Sequence, residues 1–144
     1  FVMLRRPPLS PLLPYTTLFR SRQFTDEQIS AIAERWGVIG VACDAWMLSP
    51  GWDKANPDNS HTTLSTVVDH MDHICQCTGS VAHAAIGTDL DGGYGREQSP
   101  ADLDTIADLQ KIPAILDSRG YSSNDIAALM HGNWIDLLRR AWSR

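Results

Sequence analysis

The run Gly87-Thr88-Asp89-Leu90-Asp91-Gly92-Gly93 places a carboxylate where an apolar stretch, residues 81–86, gives way to a glycine-rich loop. A carboxylate at such a strand end can hold an ammonium group or steer protons beside a metal-bound water. Asp and Gly are also turn residues, and for Asp91 the turn reading is preferred. Asp89 directly follows Ile86-Gly87-Thr88, and for it the chemical reading is preferred. Calcium is excluded. An EF-hand loop counted from Asp89 needs Gly at its sixth position and a bidentate Glu at its twelfth, and those positions hold Tyr94 and Pro100.

Asp69-His70-Met71-Asp72-His73 puts two imidazoles at i, i+3 on one helix face, a spacing that can bind metal. No third ligand stands at a telling distance along the chain, so a polar helix face with Asp–His contacts is the preferred reading. His61, His83 and His131 are isolated and receive no ligand role. Cys75-Gln76-Cys77 has one intervening residue rather than the two of a redox or zinc motif. Cys75 reads as core, and Cys43, with no evident base nearby, as packing. Trp46 and Trp52 follow the first apolar run and either line a pocket or cover its mouth.

The elements that must carry these groups alternate. Thr25-Asp26-Glu27-Gln28 starts a helix with a capping box and acids at its positive end. Ile29, Ile32, Ala33 and Trp36 share one face, and Gly37 is expected to end it. Val38 to Cys43 is a short apolar run without alternation, as in a strand buried on both faces. Asp44 through Ser60 reads as a long loop. Leu64, Val67, Val68, Met71, Ile74 and Cys75 then form the stripe of a helix over 62–77, closed by Gly79. Val81 to Ile86 reads as a second strand. Helical stretches follow near residues 101–109, 113–119, 123–130 and 133–142, with Ser122 or Ser123 and Asn133 as caps.

Strands alternating with helices imply a parallel α/β sheet. Two parallel strands cannot bury themselves, and a complete (β/α)₈ barrel takes about 200–250 residues. The expected fold is therefore the C-terminal portion of a (β/α)₈ TIM barrel: its last two strands and their helices.

Charge divides the 144 residues unevenly. The net charge is −5, yet residues 1–22 hold four Arg and no acid, which leaves eight bases against all 17 acids beyond them. Prolines at 7, 8, 11 and 14 forbid a regular element there. Residues 1–21 are expected to be non-native sequence and residues 22–144 the barrel portion. The acidic balance speaks against nucleic acid as the main partner. No stretch of about 18 apolar residues is present to span a membrane. Three Cys without a spaced framework do not suit a disulfide-stapled domain.

The ordered series RQFTDEQISAIAERWGVIGVACDAW, TLSTVVDHMDHICQCTGS, AAIGTDLDGG and PADLDTIADLQKIPAILDSRGYSSNDIAALMHGNW resembles the membrane (renal) dipeptidase family of zinc peptidases, most of all its bacterial branch. The resemblance covers nearly all of residues 22–144. It implies a (β/α)₈ barrel of the metal-dependent hydrolase type, holding two zinc ions that activate a water against the peptide bond of a dipeptide. By position, Asp89 matches the family's active-site Asp, which helps bind the amino end of the substrate and is implicated in proton transfer. Arg22 matches the Arg that binds the substrate carboxylate, a task suited to its guanidinium fork. The family's metal ligands, a His-x-Asp pair, a bridging Glu and two later His, should all lie before Arg22, and no segment here matches them. His70 and His73 fall in the family's helical DHIDHI-like stretch. The resemblance leaves room for a homodimer of the full-length protein and assigns no compartment.

The leading expectation is therefore a zinc-dependent dipeptidase present as a fragment inactive alone. The alternatives are a non-catalytic half-barrel binding module and one part of a split barrel completed by another chain.

Overall fold

The computed structural model describes residues 23–143. Helix α1, Asp26–Glu34, begins at the expected capping box: Thr25 Oγ1 accepts the Gln28 amide and Gln28 Oε1 accepts the Thr25 amide, at 3.3 and 2.9 Å. Its end differs from expectation. Trp36, not Gly37, takes the left-handed conformation, with φ 57°. Gly37 is needed for a different reason. A Cβ there would lie 2.5 Å from Ile32 Cγ2, because the Gly37 amide reaches back to the Ile32 carbonyl at 2.9 Å.

Strand β1, Ile39–Val41, pairs in parallel with β2, Ala84–Ile86, in the register Ile39 to Ala84, Gly40 to Ala85 and Val41 to Ile86. Both strands are shorter than the apolar runs suggest. Residues 81–83 form a 3-10 turn instead of strand, because the Ser80 hydroxyl accepts the Ala82 amide and bends the chain. The connection between the strands carries α3, Leu64–Thr78, which ends at Gly79 in the left-handed conformation as expected. Strand, helix and parallel strand make the α/β unit read from the sequence.

The six apolar stripe residues of α3 are all buried. They form one core with Ile39, Val41 and Ala84 from the sheet and Ile112, Leu116 and Leu129 from the later helices. The opposite face of the sheet carries Gly40, where a Cβ would meet Gly87 Cα and Trp134 Cζ2, each at 3.0 Å.

Two further corrections concern caps. The segment after β1 is not all loop: Asp44 caps the four-residue helix α2, Ala45–Leu48. Asn133 is not a cap either. Helix α5, Ser123–Ala127, runs through a π-turn, Ala128–Gly132, directly into α6, Asn133–Trp142. Ser122 caps α5 through a box with Asp125. Before them, a 3-10 turn, Ile106–Lys111, replaces the helix expected near 101–109 and leads into α4, Ile112–Ser118.

Candidate functional site

The loops that leave the C-terminal ends of β1 and β2 stand side by side. The Gly87 amide donates to the Val41 carbonyl at 3.0 Å and the Cys43 amide to the Thr88 carbonyl at 2.9 Å. The ladder thus holds the two segments together for two residues beyond the strands and brings Asp44 and Asp89 to the same rim. Each stands three residues after its strand, and that shared offset is the signal that could have singled out Asp44 from sequence.

Asp89 is exposed and adopts φ 57°, unusual for a residue with a side chain. The loop secures this turn by donating the Gly92 amide to the Asp89 carbonyl at 2.9 Å. Gly92 is required there, because a Cβ would stand 2.9 Å from that carbonyl oxygen and 3.1 Å from Asp89 Oδ1. The carboxylate is displayed to solvent at the rim, where strained backbone is commonly kept for chemistry.

Asp44 is the buried counterpart, only 5% exposed. Its Oδ1 accepts the Trp46 amide at 2.8 Å and Gln98 Nε2 at 2.9 Å, which holds the carboxylate in one orientation. Tyr94 feels both carboxylates. Its hydroxyl donates to the Thr88 carbonyl at 3.2 Å. Its pKa is raised above the ordinary value, first by burial and then by the charges of Asp44 and Asp89, with smaller contributions from Cys43 and Asp91. The rim is therefore negative, with a phenol held protonated among carboxylates. Such a site attracts a cationic group and repels an anion.

The remaining candidates separate from this rim. Arg22 lies outside the described residues. His70 Nε2 contacts the Leu48 carbonyl at 3.2 Å and His73 Nε2 contacts Asp26 at 2.9 Å, so the two imidazoles of α3 turn to different partners. His83 Nδ1 contacts the Gly37 carbonyl at 2.9 Å, while His61 and His131 are exposed. Cys43 and Cys75 are buried, and desolvation pushes each thiol up to about 12, as suits packing residues. Trp52 is buried against the body of the protein and Trp46 is half-buried beside Asp44.

A family model for membrane dipeptidase, peptidase family M19, matches residues 12–143. The chain belongs to the membrane dipeptidase family. A protein in the pqqA 5′ region of Klebsiella pneumoniae is 31% identical over 85% of this chain and 42% of its own length. An uncharacterized dipeptidase of Schizosaccharomyces pombe is 30% identical over 78% of this chain and 25% of its own. Among solved structures, the crystal structure of dipeptidase AC, a metallopeptidase of family M19, superposes with a TM-score of 0.70 at 26% identity. That superposition covers 85% of this chain and 34% of the other. The chain thus spans less than half the length of these relatives.

Metal dependence belongs to such a family, so the rim residues must be tested as ligands. They do not fit a metal pair. The rim offers Asp44, Asp89 and Asp91 but no imidazole, and Asp44 Oδ1 is already held by two donors. Among the described residues, the one group of three His, Cys, Asp or Glu side chains close enough to share an ion lies on the helices α1 and α3 instead.

Proposed function

We propose that this chain is the C-terminal part of a zinc-dependent dipeptidase and is inactive alone. The single observation that carries the reading is Asp89. It stands in the GTDLDGG loop of an M19 chain, three residues beyond β2, exposed in a left-handed turn on an acidic rim. In the complete enzyme the two zinc ions would supply an activated water and would be held by residues outside this chain. Asp89 would accept hydrogen bonds from the substrate ammonium, fix the scissile peptide relative to the rim, and exchange a proton with the departing amine. Asp44 would keep the surrounding field negative. Arg22 would take the substrate carboxylate.

The finer architecture is proposed with it: a (β/α)₈ barrel of which β1 and β2 are the last two strands. An open groove along β1, lined by Phe24, Ile29, Met47 and Ile74, supports a preceding strand and helix at that edge. A dipeptide is the proposed substrate and a homodimer of the full-length protein the proposed assembly. Residues 1–21 are proposed as foreign to the barrel, although the family match reaches back to residue 12. The Schizosaccharomyces pombe relative and the solved neighbour are named as dipeptidases, which weighs against a non-catalytic half-barrel module.

The test is hydrolysis of an Ala-Ala-type dipeptide with zinc supplied. The 144-residue chain should release no amino acid. A longer reading frame from the same DNA should encode His-x-Asp, a Glu and two later His, and its product should hydrolyse the dipeptide. In that product Asp89→Asn should lower kcat/KM by about 100-fold or more, since general acid–base groups contribute about 10²–10⁴-fold. A longer frame without those ligands would overturn the reading, as would full activity in Asp89→Asn.

A further inference from the structure

We propose that Asp26, His73 and Cys77 form a site for a divalent transition metal of the zinc class, between α1 and α3 and separate from the rim chemistry. His73 and Cys77 stand at i, i+4 on α3, a spacing that puts two ligands on one helix face. Asp26 comes from the first turn of α1, where that helix packs against α3. His73 Nε2 lies 2.9 Å from Asp26 Oδ1 and 3.5 Å from Cys77 Sγ. The three ligand atoms all fall within 4.8 Å of one another. Bonds of about 2.0–2.3 Å to a tetrahedral ion set ligand atoms roughly 3.3–3.7 Å apart, so the three groups need only small side-chain shifts to close on one point.

The same geometry speaks against a nucleophilic triad. A Cys–His–Asp relay needs the thiol on one imidazole nitrogen and the carboxylate on the other. Here Sγ is nearer to Nε2, at 3.5 Å, than to Nδ1, at 4.0 Å, and Nε2 is also the nitrogen that faces Asp26. Thiol and carboxylate converge on one nitrogen, as ligands of a common ion do.

The donor set is one thiolate sulfur, one imidazole nitrogen and one carboxylate oxygen. That mixture suits zinc and its cobalt analogue, while magnesium and calcium require oxygen ligands. Three protein ligands leave a fourth position for water. Asp26 is the most open of the three, with 58% side-chain exposure against 17% for His73, so an ion would enter from the α1 side. Once bound, it would fasten α1 to α3 across the outer layer and stabilise the chain by mass action.

The experiment is a cobalt titration of the reduced 144-residue chain, followed by zinc competition. The expected result is a thiolate-to-cobalt charge-transfer band in the near ultraviolet with tetrahedral visible bands, both removed by zinc. Cys77→Ser should abolish the charge-transfer band. Asp26→Asn, on an exposed helix start, should keep the far-ultraviolet circular dichroism and weaken binding by about tenfold or more. Zinc should raise the unfolding temperature of the native chain and leave that of His73→Asn unchanged. Absence of the charge-transfer band in the folded, reduced chain would overturn the site. So would a band of full strength in Cys77→Ser, or unaltered affinity in Asp26→Asn.

Discussion

The Asn133 side-chain amide donates to the backbone carbonyl of Ala84 at 2.8 Å, and so ties the first residue of α6 to the first residue of β2. The same nitrogen donates to the Val81 carbonyl at 2.7 Å, and Trp134 Nε1 donates to the Ile86 carbonyl at 2.8 Å. Ala84 and Ile86 alternate with Ala85, so both carbonyls point away from β1. Two backbone carbonyls on the side of β2 away from β1 thus find side-chain donors. The π-turn before Asn133 widens the helix where these side chains turn inward.

Asn133→Ala should therefore destabilise the chain by about 1–3 kcal/mol, because two carbonyls, one of them buried with the strand, lose their donor. Trp134→Phe loses the Ile86 hydrogen bond and part of the indole that packs beside Gly40, so it too should cost about 1–3 kcal/mol. Urea unfolding followed by circular dichroism would report both as a lower midpoint at unchanged slope. Equal stability of Asn133→Ala and the native chain would show that the edge is held by packing alone.

A second tie should be costlier to cut. Arg119, which follows α4, reaches α3: it donates to Asp72, to Asp69 at 2.8 Å and to the Ser65 hydroxyl at 2.7 Å, while the Tyr121 hydroxyl also donates to Asp72. Asp72 and Arg119 are mostly buried, at 14% and 21% side-chain exposure. Asp72→Ala leaves the guanidinium and the phenol without their shared acceptor. The expected loss is about 3 kcal/mol, the scale for breaking a buried pair by removing one partner. A double-mutant cycle with Arg119→Ala should show strong coupling; additive losses would count against the network.

Much of this arrangement was legible in the residues. The α3 stripe from Leu64 to Cys75 keeps the helical period without interruption, and Gly79 supplies the left-handed stop, so that helix lies where the pattern put it. The two apolar runs identified the parallel strands, and GTDLDGG identified the rim loop. The misses share a cause. Asn133 has a cap's residue type, but its amide is drawn to carbonyls 49 and 52 positions away, which no local pattern encodes. Asp44 was hidden in an apparent loop because a four-residue helix has too few turns to show a period. The cluster of Asp26, His73 and Cys77 joins two helices across 47 positions, so spacing along the chain displayed only the His73 side of it. Sequence reading paired His73 with His70, whereas His70 turns to the Leu48 carbonyl.

That environment makes His70 sensitive to acid. Burial lowers its pKa below the ordinary 6.5, more than the Leu48 carbonyl and Asp69 raise it, with His73 adding a small further lowering. A carbonyl only accepts, so Nε2 carries the proton in the neutral ring. Below pH 6.5 the unfolded chain binds a proton that the folded chain refuses. Stability should therefore be full above about 6.5 and fall as the pH drops from there through the lower folded value. Urea midpoints measured from pH 7.5 to 5 would show this slope, above the range in which carboxylates titrate. His70→Gln should flatten it; an unchanged slope in that variant would assign the effect elsewhere.

Thiol chemistry offers a test that needs no assay of function. Only the thiolate attacks a disulfide reagent, so reactivity follows both pKa and access. Cys43 and Cys75 are buried, with thiols pushed up to about 12, first by burial and then, respectively, by Asp102 and Asp72 among their charged neighbours. Cys77 is half-buried and lifted to about 11, first by burial and then by Asp26. In the folded chain at pH 8, an aromatic disulfide reagent should label one thiol slowly, with rates rising about tenfold per pH unit, and two more only after denaturant is added. Cys77→Ser should remove the slow native phase and leave the other two protected. Labelling of two or three thiols at similar rates without denaturant would show that the core formed by α3 and the two strands opens readily. Protection of all three would place Cys77 deeper between α1 and α3 than its half-buried position implies.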